Sequence, residues 1–471
     1  GNMTSLSETS LLAGASGAGV STYTIDQGLR FEDGAEHILH RRVDTTWQNK
    51  FTISFWVKRN NLGLYNYIIT WRDKRGSGYP FGEVKFTNGD QLEYFDYGTS
   101  IDTNYPIYAK TNRLFRDPNA WYHVVMAINY ADFDAGDPGR FKLWINGESE
   151  TDFATFTLSN QAAQSGASGS GANYIQIGRL YATTNYNCEA YLAEFNFIDG
   201  YDYGPEYFGE FNSSDIWIPK EYSESYSNQS FYLTFANGSD IGNDDSGNSK
   251  DFTAVGLVAG DVVTDTPTNN FAVINPLVRS NNTHSEGNLK IVCTTSTPAK
   301  FVSTIGVTSG KWYMEFRHSG DSNFTVGITT DNIEQNYIGI SDGSTSVSFW
   351  PGSSGTSLIV NASTISWDGS GTTWSAGDFI GLALNADDSI ITMYKNGSSL
   401  GSYDYSSLNW VEHFFAGGNY VSSTYLANFG QEGTFAGATT AGGNSDGSGI
   451  GNFKHSVPTG YKALCTKNLG S

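Results

Sequence analysis

Residues 121–147 read WYHVVMAINYADFDAGDPGRFKLWING. WYHVVMAINY (121–130) and FKLWING (141–147) are two strand signals with a loop between them. WING (144–147) closes on an Asn-Gly pair, the sequence favoured in type I′ hairpin turns. The same plan returns downstream, where YKNG (394–397) also ends a long alternating strand at Asn-Gly. A late strand follows in each half, YLAEF (191–195) and YLANF (425–429), 234 residues apart. Long strand, Asn-Gly turn, returning strand and YLA-x-F strand thus come in the same order twice. This predicts two copies of one β-sandwich plan.

Composition agrees. Of 471 residues, only 38% are hydrophobic and 16% charged, yet 14% are aromatic, with 11 Trp, 28 Tyr and 29 Phe. The balance is made up by 54 Gly and many Ser, Thr and Asn, which disfavour helix, whereas Tyr, Phe, Trp and Thr suit a pleated surface. So many large rings need burial, which argues against disorder. The expected class is all-β. The net charge is −21, with −6 over residues 1–200 and −15 over the remainder. No long basic stripe exists, so neither nucleic acid nor an anionic membrane surface is an expected partner. Cys188, Cys293 and Cys465 form no CxxC pair and no zinc spacing. No run of 18 apolar residues appears, and the N-terminus has no signal-peptide pattern.

Along the chain, residues 1–24 read as a leader and hinge. Strand signals fill 25–200, with Phe51, Ile53, Phe55 and Val57 alternating in FTISFWVKR. Residues 201–299 read as a wrapping connector with few strands, since Pro267 and Pro276 disfavour central strands. Strand signals resume over 300–432. A Gly/Ser-rich stretch and an apolar tail, VPTGYKALC (457–465), end the chain and are expected to dock back.

Residues 28–200 resemble a laminin-G-like domain of the concanavalin A-like lectin/glucanase superfold through LRFEDGAEHI, FTISFWVK, AWYHVVMAIN, KLWINGE and YLAEFNFIDG. Residues 300–430 resemble a SPRY domain through SGKWYMEF, VGIT, GDFIGLALN, ITMYKNG and ANFGQ. The whole chain, including DTPTNNFAVINPL (265–277) and YKALCTKNL (461–469), is similar to structural or fibre-like proteins of marine bacteriophages. The resemblance implies two concanavalin A-like antiparallel β-sandwiches, or jelly rolls, joined by an irregular connector. It also implies a virion protein, made in the host cytoplasm and released by lysis or assembly.

A sugar site needs exposed rings together with polar side chains. In WRDKRGSGYP (71–80), Trp71 and Tyr79 bracket Arg72, Lys74 and Arg75, a basic cluster that could meet an acidic glycan. Its bland alternative is a solvated hairpin tip. Trp350 in SFWPG is the candidate of the second half, with Tyr181, Tyr186, Trp367 and Trp374 as further loop rings. Trp56, Trp121, Trp144 and Trp312 lie in alternating strands and are assigned to the core.

Calcium is the one cofactor considered, because lectins and laminin-G-like domains of this superfold often hold it. ADFDAGDPG (131–139) offers Asp132, Asp134 and Asp137, and NDDSGNSKD (243–251) offers Asp244, Asp245, Asn248 and Asp251. Capping of their own loops is the competing reading. For glycan hydrolysis the nearest pattern is ESETD (148–152), with Glu148, Glu150 and Asp152 on one strand face. It lacks the Glu-Asp-Glu order that glucanases of this fold carry. No G-x-S-x-G elbow, HExxH helix or phosphate loop appears. The expectation is a non-enzymatic phage appendage that binds host-surface glycan and other virion proteins, with a trimer as the usual fibre assembly. A ligand-free decoration protein and a glycan-degrading enzyme are the two rival classes.

Overall fold

Alternating apolar residues, Asn-Gly turns and a scarcity of helix formers give the chain its strands, which account for 49% of it against 4% helix. The computed structural model describes residues 23–32, 36–43, 47, 49–73, 81–96, 107–130, 138–158, 173–180, 187–227, 229–278, 282–293, 299–320, 324–330, 338–339, 345–352, 354–419 and 422–470. Contacts divide the chain into two units, one ending at Thr268 and the other beginning at Asn269, so the expected connector over 201–299 is shared between them.

In the first unit the strands are β1 (Gly28–Phe31), β2 (Ile38–Val43), β3 (Lys50–Arg59), β4 (Asn66–Asp73), β5 (Phe81–Phe86), β6 (Gln91–Asp96) and β7 (Ile107–Leu114). They continue with β8 (Trp121–Asn129), β9 (Phe141–Ile145), β10 (Glu148–Ser149), β11 (Phe153–Leu158), β12 (Asn173–Ile177) and β13 (Ala190–Asp199). One sheet runs β10-β9-β8-β3-β13-β1 and the other β11-β7-β6-β5-β4-β12-β2. The core between them takes Phe51, Ile53, Phe55 and Val57 from β3. It takes Ile69, Val84, Phe86, Leu92, Tyr94, Ile175 and Ile177 from the opposing sheet.

Residues 201–268 wrap this sandwich. They add β14 (Gly209–Phe211), β15 (Trp217–Pro219), β16 (Phe231–Leu233), β17 (Thr253–Val255) and β18 (Val262–Val263). β16 pairs with β13, β17 with β2 and β18 with β1. Phe208, with Tyr203, Tyr207, Tyr222 and Tyr226, packs on Val125, Ile198 and Trp144. Trp217 joins Trp56, Trp121 and Tyr191. The wrapping segment thereby roofs the outer face of the first sheet. Trp56 and Trp121 are buried under that roof and not between the sheets, because β3 and β8 present them on the face opposite Phe55 and Val124.

The second unit holds β19 (Asn282–Ser285), β20 (Lys290–Cys293), β21 (Ala299–Val302), β22 (Lys311–His318), β23 (Val326–Thr329), β24 (Ser346–Gly352) and β25 (Gly355–Val360). It continues with β26 (Ser363–Ile365), β27 (Phe379–Asn385), β28 (Ile390–Lys395), β29 (Ser398–Asp404), β30 (Phe414–Asn419), β31 (Ser423–Asn428) and β32 (Lys462–Ala463). Its sheets run β19-β20-β31-β22-β27-β28-β29 and β21-β30-β23-β24-β25-β26. The order β9-β8-β3-β13 in the first unit thus has its counterpart in β28-β27-β22-β31. The tail docks as expected: β32 pairs with β22, and Leu464 enters the core. Cys188, Cys293 and Cys465 are all buried.

Candidate functional site

Of the rings read as a sugar platform, Trp71 belongs to the core. It is 1% exposed, with ring centroids 5.8 Å from Trp47 and 6.0 Å from both Phe51 and Tyr94. The pleat of β4 carries Ile69 and Trp71 inward together, and Gly82 opposite leaves space for the indole, which a Cβ would enter at 2.1 Å. The strand runs past Trp71, where the sequence had suggested a loop. Arg72 follows at the end of β4, opposite Phe81 and Tyr174. Arg75, Tyr79, Tyr181, Tyr186, Asp132, Asp134 and Asp137 lie outside the described residues. Trp350 sits half-buried on β24 opposite Ser357.

The 243–251 loop is organised by Asp244. Its Oδ1 accepts the N–H groups of Tyr232 (2.9 Å) and Ser246 (3.0 Å), and its Oδ2 accepts that of Lys250 (2.8 Å). Asp251 accepts the Asp244 N–H at 3.0 Å, and Asp245 accepts the Thr234 hydroxyl and the Asn243 amide. These bonds are Asx-type loop capping. Among the described residues no group of three or more His, Cys, Asp or Glu is placed to hold a metal ion.

A different constellation lies on the β2–β7 sheet. Between the inward residues of each strand, the pleat turns the alternate side chains to the face away from the core. His40, Gln176, Thr70, Glu83, Phe95 and Tyr108 are successive cross-strand neighbours from β2 to β7. The adjoining row is Tyr67, Lys85, Glu93 and Lys110. At the centre, Lys85 Nζ donates to Glu83 and, at 2.9 Å, to Glu93. The Tyr108 hydroxyl donates to the other Glu93 oxygen at 3.2 Å. The ammonium also lies 5.2 Å from the Tyr67 ring centroid, 5.8 Å from Tyr65 and 5.9 Å from Phe95, within cation–π range.

Glu83, Lys85 and Glu93 are only 5–8% exposed. Burial pushes the Glu83 carboxyl above its ordinary value, while Lys85 pulls it back. Burial opposes charge on Lys85, but Glu83 and Glu93 outweigh it and raise its pKa. The ammonium is therefore fixed in its charged form. Sequence reading passed over this group, although GEVKF (82–86) and QLEYF (91–95) carry the signal. With Val84, Phe86, Leu92 and Tyr94 inward, Glu83, Lys85, Glu93 and Phe95 must share the other face.

The outer side of the first sheet holds a Ser-His pair, Ser54 Oγ and His123 Nε2, 2.9 Å apart. Trp217 Nε1 can only donate, and it lies 2.9 Å from His123 Nδ1. Burial lowers the His123 pKa to about 3, so the ring is neutral and carries its proton on Nε2. That proton points at Ser54, and the imidazole cannot act as its base. The pair is structural. A recess beside it, lined by residues including Tyr23, Glu194, Asn196 and Lys220, has room for about one water (10 Å³).

Residues 32–200 match the Laminin_G_3 family model, described as concanavalin A-like lectin/glucanases superfamily. The first sandwich accordingly has the concanavalin A-like, laminin-G-type fold. The SPRY domain of human HERC1 is similar at 19% identity, covering 33% of this chain and 96% of that one, with a TM-score of 0.27. A SAP-like pentraxin from Limulus polyphemus is similar at 14% identity, covering 38% and 77%, with a TM-score of 0.27. Domains LG4-5 of the mouse laminin alpha1 chain are similar at 7% identity, covering 88% and 85%, with a TM-score of 0.29. No curated protein matches the sequence.

Proposed function

We propose that this chain is a virion appendage protein that holds host-surface glycan on the outer face of the β2–β7 sheet and does not hydrolyse it. One observation carries the reading: Lys85, clamped between Glu83 and Glu93 and edged by Tyr65, Tyr67 and Phe95, lies on a face that contributes nothing to the sandwich core. Flat rings beside fixed polar groups are what a sugar requires of a protein. Burying three charges on such a face has no evident use in holding the sheets together.

The same geometry argues against hydrolysis. A glycosidase needs two carboxyl groups facing each other across the scissile bond, one of them protonated. Here the Lys85 ammonium occupies the space between the carboxylates. The phage assignment rests on the sequence resemblance that includes DTPTNNFAVINPL and YKALCTKNL. Other virion proteins are the remaining partners in this reading, and a trimer would multiply weak single-site affinity.

The test is a glycan array probed with the full chain, run beside reducing-sugar release from the bound polysaccharides. Binding without release is expected. Tyr65→Ala, at a ring 41% exposed, should weaken binding by about 1–3 kcal/mol with folding intact. An array with no retained glycan would point to a ligand-free structural protein, and sugar release would point to an enzyme.

A further inference from the structure

A residue two strands from Glu83 on the same sheet face narrows the ligand. Gln176 lies on β12 between His40 and Thr70, and Thr70 is the cross-strand neighbour of Glu83. The Gln176 side chain is turned away from the core, because Ile175 and Ile177 on either side are core residues. Gln176 is 8% exposed, yet its Oε1 is buried without a hydrogen-bond partner. A buried orphan acceptor costs stability and calls for a reason.

Resting on the glycan-binding reading above, we infer that the orphan Gln176 amide, on the same sheet face as the Glu83–Lys85–Glu93 cluster with one strand between them, selects a neutral, hydroxyl-rich sugar over an acidic one. A hydroxyl both donates and accepts, so it can satisfy an amide presented through either its oxygen or its nitrogen. A carboxylate or sulfate only accepts, so against the amide oxygen as placed it would leave Oε1 unpaired. The cluster gives an anion no advantage either, and Arg42, the cation nearest Gln176 on this face of β2, is exposed, so its pull on an anion is screened by solvent and salt. Glu83, Lys85, Glu93 and Lys110 sum to zero, and Lys85 is already bound to two carboxylates. Rejection through an unpaired buried group is the strong form of polar specificity.

The experiment uses polyuronans, polygalacturonate among them, each paired with its carboxyl-reduced form. Reduction turns the acid into a hydroxymethyl group and keeps linkage and ring stereochemistry. Calorimetry on the full chain should show the reduced member bound at least about tenfold tighter. Gln176→Leu should weaken that binding by about tenfold, while Tm holds or rises because an unpaired acceptor is removed. Arg42→Ala, at the exposed cation in the next row of β2, should leave binding of the neutral form unchanged. Tighter binding of the acidic form, or unchanged binding by Gln176→Leu, would overturn the inference and leave glycan binding standing. Retention of nothing in this panel or on the array would overturn both.

Discussion

Asn146 and Asn396 do the same work in the two sandwiches. Their φ angles are 50° and 48°, and those of the following Gly147 and Gly397 are 80° and 81°, the left-handed pair of a type I′ turn. Each side-chain oxygen accepts a backbone N–H from the start of the neighbouring strand, His123 at 2.7 Å and Phe379 at 2.8 Å. Each backbone N–H donates to the carbonyl of that same residue, at 2.9 and 2.8 Å. The turn is thus stapled twice. Alanine at either position should cost its sandwich about 1–3 kcal/mol, from the orphaned N–H and the strained φ. Asn396→Asp should be worse than Asn146→Asp near neutral pH, because Asn396 Nδ2 donates to Asp378 at 2.7 Å and an aspartate would face that carboxylate. Urea unfolding of the four variants gives the ranking; equal losses for the two aspartates would refute the charge argument.

The repeated strand order could be read from the sequence, but the repeated string could not be aligned residue for residue. In YLAEF, Leu192 and Phe195 enter the core, whereas in YLANF it is Tyr425, Ala427 and Phe429 that do so. A bulge between Ala193 and Asn196, with Glu194 at φ 50°, shifts the first strand by one residue and brings the two phenylalanines back into step. Trp71 was misplaced for a related reason. A polar, glycine-containing stretch follows it, and sequence marks where loops are more clearly than where strands end. The Glu83–Lys85–Glu93 cluster was missed because alternating charges on a strand ordinarily mean a solvated face. Only the cross-strand register joins GEVKF to QLEYF.

Two buried carboxyls should take stability away as pH rises from about 4.5 to about 7. Buried His123 and His284 act against them: burial lowers their pKa to about 3 and about 4, so they add stability over much of the same range. Burial lifts the Glu194 carboxyl to about 7, with Glu221 and Asp245 adding to the rise and hydrogen bonds from Tyr232 and Tyr23 opposing it. Burial likewise lifts Glu315 to about 7, against N–H bonds from Lys454 and His455. The ordinary value is 4.5, so between these limits the two carboxyls bind more protons in the folded chain than in the unfolded one. Their contribution is complete below about 4.5 and lost above about 7, on the order of 3 kcal/mol for each carboxyl. Relative to the parent, Glu194→Gln with Glu315→Gln should therefore gain Tm at pH 8 over pH 5, because it removes the carboxyl contribution and leaves that of the histidines. A double variant that keeps the full pH dependence would place its origin elsewhere.

Trp71→Ala should behave as a core truncation, costing about 3–5 kcal/mol. Glycan binding per folded molecule should stay unchanged, since the indole faces the interior beside Trp47 and Phe51. Binding lost at full stability would return Trp71 to the ligand face.

Asp244→Ala should cost about 2–4 kcal/mol, because three backbone N–H groups lose their acceptor together. Asp245→Ala should cost well under half as much, its carboxylate being exposed. Chelation by EDTA should leave the difference between these variants and the parent unchanged if loop capping is the whole role of Asp244. A Tm that drops on chelation in the parent, and not in Asp244→Ala, would assign that loop to calcium.

Lys85 offers the sharpest check on the charge cluster. Removing one partner of a buried ion pair strands the other, which costs about 3–5 kcal/mol. Lys85→Gln strands two, since Glu83 and Glu93 both contact the ammonium and each raises its pKa. Without it the carboxyls lose their counter-charge, and burial pushes Glu83 further up. The folded variant should then take up a proton that the unfolded chain releases, so its deficit is largest near pH 8 and shrinks toward pH 4. Melting temperatures of parent and Lys85→Gln across that range should converge in acid. A constant gap would mean that the methylene stem of Lys85 matters through packing and that its charge does not. Glu83→Gln in the Lys85→Gln background separates the two causes, because it should recover most of the loss at pH 8 if charge is responsible and none of it if packing is.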